Sequence, residues 1–127
     1  MRIFVTKEFA RFARKEAIGD SALCATIARI DRGSIDADLG GGLIKQRVTR
    51  EGQGRSGGYR TIIAFNQNDR SFFMYGFAKN QRANISRREL AIIKATAAAL
   101  AALNDDLIEA AVDGKGLREI FCDAREI

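Results

Sequence analysis

Seven cations are spaced so that folding can gather them: Lys45, Arg47, Arg50, Arg55, Arg60, Lys79 and Arg82. Leu43 to Val48 alternates in character, which predicts a strand with Lys45 and Arg47 on one side and Ile44, Gln46 and Val48 on the other. Arg60 follows Tyr59 at the head of a second apolar run, and Lys79 and Arg82 follow the end of a third. If the runs pair as successive hairpins, these side chains converge at one edge or face of a sheet, with Tyr59 and Tyr75 nearby. A basic site of that kind holds a phosphodiester and stacks a base. The competing reading is that the charges merely blunt strand edges against pairing.

The chain has 127 residues, with 21 Lys+Arg, 16 Asp+Glu, two Cys and no His, Pro or Trp. Lack of histidine excludes Ser-His-Asp and Cys-His catalytic units and imidazole metal ligands, so proton transfer falls to Lys, Tyr, Asp, Glu or the thiols. The net charge of +5 is unevenly spread. Residues 43–82 carry 8 basic and 2 acidic residues, whereas 104–127 carry 3 and 7. A basic centre beside an acidic tail is the footprint of a polyanion site, because neutralising phosphates with counterion release favours clustered Lys and Arg.

The elements that must position these groups can be read from periodicity. Arg2 to Val5 is β-like; Thr6 can cap a helix with Phe9 and Phe12 inward, stopped by Gly19. Asp20 or Ser21 starts a second helix with Leu23, Ile27 and Ile30 on one face and Gly33 as its stop, giving a helical hairpin. Asp36 to Gly42 reads as a loop. Strands follow at Leu43 to Val48, Tyr59 to Phe65 and Ser71 to Ala78, the last two joined by a hairpin loop over Asn66 to Arg70. Ser86-Arg87-Arg88-Glu89 is a capping box opening an alanine-rich helix through Leu100. Asn104 or Asp105 opens a shorter helix ending at Gly114, and Leu117 to Cys122 reads as either strand or helical turn. The expectation is one α+β domain: an antiparallel sheet of about four strands, an N-terminal helical hairpin and a C-terminal helix. Residues 104–127 form an extension packed on the domain of residues 1–103.

Three further patterns have plainer readings. Gly52-Gln53-Gly54-Arg55-Ser56-Gly57 matches G-x-G-x-x-G literally, but a strand rather than a helix follows, so it reads as a glycine-rich turn. The pairs Asp36/Asp38 and Asp105/Asp106 could offer magnesium ligands, yet they sit in a loop and at a helix start, where carboxylates have ordinary structural uses. Cys24 and Cys122 lie far apart in apolar contexts and read as reduced, buried thiols of an intracellular protein. No apolar stretch is long enough to span a membrane and no secretion signal opens the chain, so a soluble, cytoplasmic protein is expected.

The run Leu43-Ile44-Lys45-Gln46-Arg47, then Arg55-Ser56-Gly57-Gly58-Tyr59-Arg60, then Tyr75-Gly76-Phe77-Ala78-Lys79-Asn80-Gln81-Arg82-Ala83-Asn84-Ile85 resembles the RelE family of bacterial toxin–antitoxin toxins, within the RelE/ParE superfamily and nearest a HigB-like branch. The resemblance covers residues 1–103 and implies a RelE-like fold. It implies a toxin that enters the ribosomal A site and cleaves mRNA without metal or cofactor, silenced by a cognate antitoxin encoded by a neighbouring gene. By position, Lys45 and Arg47 match the basic strand pair of the family's active site, Arg60 its S-G-Y-R arginine, and Lys79 and Arg82 its distal cluster. Two positions depart: Asn80 stands where some members have a second arginine, and Ser86 where some carry a catalytic tyrosine.

Cleavage by a ribose 2′-hydroxyl requires proton removal, stabilisation of a phosphorane-like dianion and protonation of the leaving oxygen. Lys45 or Lys79 are the acid/base candidates, Arg60 and Arg47 face the developing charge, and Arg82 positions phosphate. Arg50, Arg55, Tyr59 and Tyr75 are the RNA-binding candidates. Two alternatives stay open: a ParE-like, non-catalytic gyrase inhibitor and a catalytically weakened, RNA-binding RelE homologue.

Overall fold

The computed structural model describes residues 1–50, 54–79 and 84–123, the side chains of residues 49–50 and 54–57 excepted. Its elements run β1 (Arg2–Thr6), α1 (Lys7–Lys15), α2 (Asp20–Asp31), β2 (Ala37–Gly40), β3 (Leu43–Arg50), β4 (Gly54–Gln67), β5 (Arg70–Ala78), α3 (Arg87–Ala101), α4 (Asp105–Asp113) and β6 (Leu117–Ile120). The strands form one sheet in the order β2-β3-β4-β5-β1-β6. Every neighbouring pair is antiparallel except β1 with β5, which run parallel.

Local chemistry accounts for the helix starts. The Thr6 hydroxyl accepts from the Phe9 N–H at 3.1 Å. Ser86 and Glu89 close the reciprocal capping box at 2.9 and 3.1 Å, and Asn104 accepts from the Leu107 N–H at 2.9 Å. α2 begins without a side-chain cap: Gly19 holds the N-cap position, and neither Asp20 nor Ser21 does that work.

Helices cover both faces of the sheet. On one face the α1–α2 hairpin packs Phe9, Ala13, Leu23 and Ile27 onto Ile44, Ile63 and Phe73. On the other, α3 and α4 pack Ile93, Ala97 and Ile108 onto Phe4, Leu43, Ile62 and Phe72. β5 is therefore apolar almost throughout, as befits a strand covered on both sides. Gly76 of β5 lets α1 sit this close, since a Cβ there would stand 2.4 Å from the Phe12 ring.

Among the described residues the sheet has six strands and is mixed, where sequence pattern predicts about four antiparallel ones. Two short strands escape pattern reading. β2 is four half-exposed residues inside the expected loop Asp36 to Gly42, and Gly40, Gly41 and Gly42 reverse the chain after it with φ of 80°, 62° and 80°. β6 resolves the open choice for Leu117 to Cys122 in favour of a strand, stabilised by pairing with β1 across the chain. The parallel pairing of β1 with β5 is equally non-local. β4 also begins earlier than Tyr59: Gly54 pairs with Arg50, which narrows the expected glycine-rich turn to a connection at residues 51–53, outside the described residues. The β4–β5 hairpin turns on Asn68 and Asp69, whose φ of 57° and 61° suit a tight two-residue loop.

The cysteines correct a second expectation. Cys24 of α2 and Cys122, just after β6, are joined in a disulfide with their Cα atoms 5.6 Å apart. The topology makes the meeting possible: β6 docks on β1, which carries Cys122 to the hairpin helices, and Arg118 of β6 reaches Asp20 at the start of α2. A compartment argument resting on two reduced thiols therefore lapses. Among the described residues no helix is long and apolar enough to cross a membrane.

The bridge spans 98 positions, so opening it should lower stability by about 3 to 5 kcal/mol through loop entropy returned to the unfolded chain. Urea unfolding with and without a dithiol reductant, beside Cys122→Ser, checks this. The variant should match the reduced protein, and a midpoint indifferent to reductant would contradict the bridge.

Candidate basic site on the sheet

Strand register decides which side chains meet. β3 pairs with β4 so that Lys45 lies opposite Ile62 and Arg47 opposite Arg60; β4 pairs with β5 so that Ile62 lies opposite Tyr75 and Arg60 opposite Phe77. Directly opposed residues project to the same face. Two transverse rows result, Lys45–Ile62–Tyr75 and Arg47–Arg60–Phe77, on the face that also carries α3 and α4. Neighbours within a row are about 5 Å apart and the rows about 7 Å apart, which suits a phosphodiester. Ile62 and Phe77 are buried beneath, while Lys45, Arg47, Arg60 and Tyr75 are half-buried.

A buried glutamine holds this register. Gln46 is 1% exposed on the hairpin face; its amide donates to the Ser34 carbonyl at 2.8 Å and accepts from the Asp36 N–H at 2.9 Å. The Thr61 hydroxyl donates to the Gln46 carbonyl at 2.8 Å, tying β4 to the same point. Fixing the backbone at Asp36 brings its carboxylate to Arg47. Asp36 accepts from the Arg47 backbone N–H at 2.7 Å and from its Nε and Nη2 at 3.2 Å each. Burial alone would push the Asp36 carboxyl up, but these hydrogen bonds and the Arg47 charge outweigh it and hold the group below its ordinary 3.8. Arg29 of α2 donates to the Arg47 carbonyl from the far side.

Arg60 is placed differently. It is half-buried, and its Nη1 is fully buried with no hydrogen-bond partner among the described residues. A guanidinium donor left in that condition is costly unless an acceptor reaches it. At the other end of the rows the Tyr75 hydroxyl donates to Glu89 Oε2 at 3.3 Å, which ties the first turn of α3 to the rim.

The structure thus gathers Lys45, Arg47, Arg60 and Tyr75 on one face, with Lys79 exposed in the turn just past β5. Tyr59 does not join them. It pairs with Val48 and Ala78 on the opposite face, is 2% exposed, and meets the Phe12 ring edge-on at 5.6 Å. The two-residue period sends it into the core one position before Arg60, so it cannot stack an incoming base. The side chains of Arg50 and Arg55 and all of Asn80 and Arg82 lie outside the described residues. Ser86 caps α3. Sequence reading missed Asp36 as the partner of Arg47 and Glu89 as the partner of Tyr75, for no spacing signal links them.

The family described as the RelE toxin of the RelE/RelB toxin–antitoxin system matches residues 1–120. No curated protein matches the chain.

Because Asp36 is held below its ordinary value, its pairing with Arg47 should contribute fully above pH 3.8 and be lost as pH falls through the lower folded value. Asp36→Asn should therefore cost at most about 1 kcal/mol near neutral pH, with the difference vanishing in acid. Urea midpoints across an acid series measure it, and a difference that persists unchanged in acid would contradict the assignment.

Proposed function

The chain belongs to the RelE toxin family, and from that premise we propose that it is a ribosome-dependent mRNA endonuclease that inhibits translation. It is a toxin of a toxin–antitoxin pair, and its family implies an antitoxin partner. The finer reading is ours: a HigB-like member acting in the cytoplasm, with its antitoxin encoded next to it.

One observation carries the reading. Lys45, Arg47 and Arg60 stand in adjacent rows on one sheet face, and the half-buried Arg60 guanidinium keeps a donor that no described residue satisfies. A phosphate oxygen is the acceptor that best repays it, since charge-assisted hydrogen bonds to phosphate are about twice as strong as neutral ones. In the proposed reaction the ribose 2′-hydroxyl loses its proton, its oxygen attacks the adjacent phosphorus, and the 5′-oxygen leaves with a proton. Arg60 and Arg47 stabilise the dianionic transition state, which no metal or cofactor needs to assist. Lys45 and Lys79 are the candidates for the two proton transfers, and Arg82 positions the phosphate. Arg50 and Arg55 add backbone contacts, and Tyr75, half-buried at the end of the Lys45 row, is the base-stacking candidate.

Two features favour a slow enzyme over a fast one. Asp36 already occupies the Nε–Nη2 side of the Arg47 guanidinium, leaving its Nη1 end for a phosphate, and Ser86 is engaged as a helix cap where some relatives place a tyrosine.

Primer extension on cellular transcripts after brief expression tests the reading. Codon-phased breaks are expected with the native chain, and Arg60→Ala should reduce them by roughly 100-fold or more, with circular dichroism unchanged. Undiminished breaks and growth arrest with a folded Arg60→Ala protein would overturn the assignment. Intact transcripts together with DNA damage would replace it by a gyrase-directed toxin.

A further inference from the structure

A cavity of about 560 Å³ lies between α1, β6 and the end of α4, within the roughly 300 to 1,000 Å³ of small-ligand sites. Its floor is apolar, formed by Val5, Ala10, Val112 and Leu117, and Phe121 at its border is 81% exposed. Three strands, β4, β5 and β1, separate β6 from β3, so the cavity stands apart from Lys45 and Arg47.

The rim is cationic, and helical spacing arranges it. Lys7, Ala10 and Arg14 follow the i, i+3, i+7 pattern that puts residues on one face of a helix, and all three line the cavity. The small alanine keeps the floor open between two long cations. Lys7 and Lys115 share one end, since the Lys7 N–H donates at 3.2 Å to the carbonyl of Gly116, the residue after Lys115. Arg14 lies seven residues on, about 10 Å along the helix at roughly 1.5 Å per residue. Lys7, Arg14 and Lys115 are all exposed and without ion pairs among the described residues. The remaining charged residues of the lining are committed elsewhere: Glu119 binds Arg2 at 2.7 and 2.9 Å, and Arg118 binds Asp20 at 2.9 Å.

Two unpaired cations at one end and an apolar floor beyond them call for an anionic head with an apolar tail. We propose that this cavity binds a single-chain amphiphile, a straight-chain carboxylate, with its head between Lys7 and Lys115 and its tail on Val5, Ala10, Val112 and Leu117. An extended alkyl chain advances about 1.25 Å per carbon, so roughly 10 Å of floor takes about eight carbons. Arg14 lays its aliphatic stem over the tail and keeps its guanidinium in water. A small inorganic anion would leave the floor uncovered, and a second copy of the chain would bring the same three cations together. Occupancy of this cavity is independent of the chemistry at Arg60.

The test titrates the full chain with sodium hexanoate, octanoate, decanoate and dodecanoate below their micelle-forming concentrations, by calorimetry and methyl NMR. Saturable one-to-one binding is expected, with Ala10, Val112 and Leu117 methyls shifting and Ile62, beneath the basic rows, unmoved. Affinity should rise roughly fivefold to fifteenfold from hexanoate to octanoate, as two more methylenes leave water, and less than about twofold from decanoate to dodecanoate, once the floor is filled. Acetate lacks the tail and octylammonium reverses the head; each should bind at least about tenfold more weakly than octanoate. The double variant Lys7→Glu/Lys115→Glu should lose at least about tenfold in octanoate affinity. It should fold normally, because both positions are exposed and an acid in the first turn of α1 suits the helix dipole. Absence of saturable binding, octylammonium binding as well as octanoate, a steady rise through dodecanoate, shifts centred on Ile62, or undiminished binding in the folded double variant would each overturn the site. A dimer in sedimentation that octanoate dissociates would give the cavity to a second copy instead.

Discussion

Gln46 is the point on which the basic face depends. Among the described side chains of β3 it is the one fully buried polar group, and it satisfies both ends of its amide on the segment before β2, at the Ser34 carbonyl and the Asp36 N–H. Those bonds are made only when Gln46 points to the hairpin face, which turns Lys45 and Arg47 to the other. A slip of one residue would bury both cations and strand the amide in the wrong layer. Thr61, donating to the Gln46 carbonyl, extends the constraint to β4 and so to Arg60. A buried polar group with its partners in place specifies one arrangement, because every alternative leaves it unsatisfied.

The two faces of the sheet divide the work. The hairpin face is closed: Phe9, Leu23, Ile27 and Tyr59 are sealed there, and Gly76 leaves room for Phe12 to press against β5. The other face is closed by α3 and α4 over Phe4, Leu43 and Phe72, and the cations stand where Lys45, Arg47 and Arg60 remain half-buried. Placing positive charge on a half-covered surface limits the desolvation it suffers while keeping it rigid enough to meet a phosphate. Asp36 moderates the cluster. It pins the Arg47 guanidinium in a two-point grip and removes one unit of repulsion from a region otherwise carrying a strong positive excess.

The ends of the chain form a second centre of organisation. β1 sits between β5 and β6, and the Cys24–Cys122 bridge fastens α2 to the segment after β6. Arg2 adds to this, reaching Glu119 on β6 and Glu109 on α4 at 2.7 Å each. The acidic tail is thereby used internally. Glu109 and Glu119 engage Arg2, and Asp105 engages the nearly buried Arg70 at 2.7 Å.

Much of this was legible in the residues alone, and the reason is locality. Helix starts at Thr6, Ser86 and Asn104 depend on side chains three positions from the amides they cap, and the alternation from Leu43 to Val48 already puts Lys45 and Arg47 on one face. What the sequence could not convey is who meets whom across the chain. The parallel pairing of β1 with β5, the short strands β2 and β6, the disulfide, the capture of Arg47 by Asp36 and the burial of Tyr59 against Phe12 all join residues with no periodic relation. Their energies come from contacts that exist only once the layers are stacked. The sequence by itself determined the class of the fold, the cations available and the family; tertiary structure alone decided which cations share a face and which are already paired, because both depend on strand register and on contacts between residues far apart in the chain.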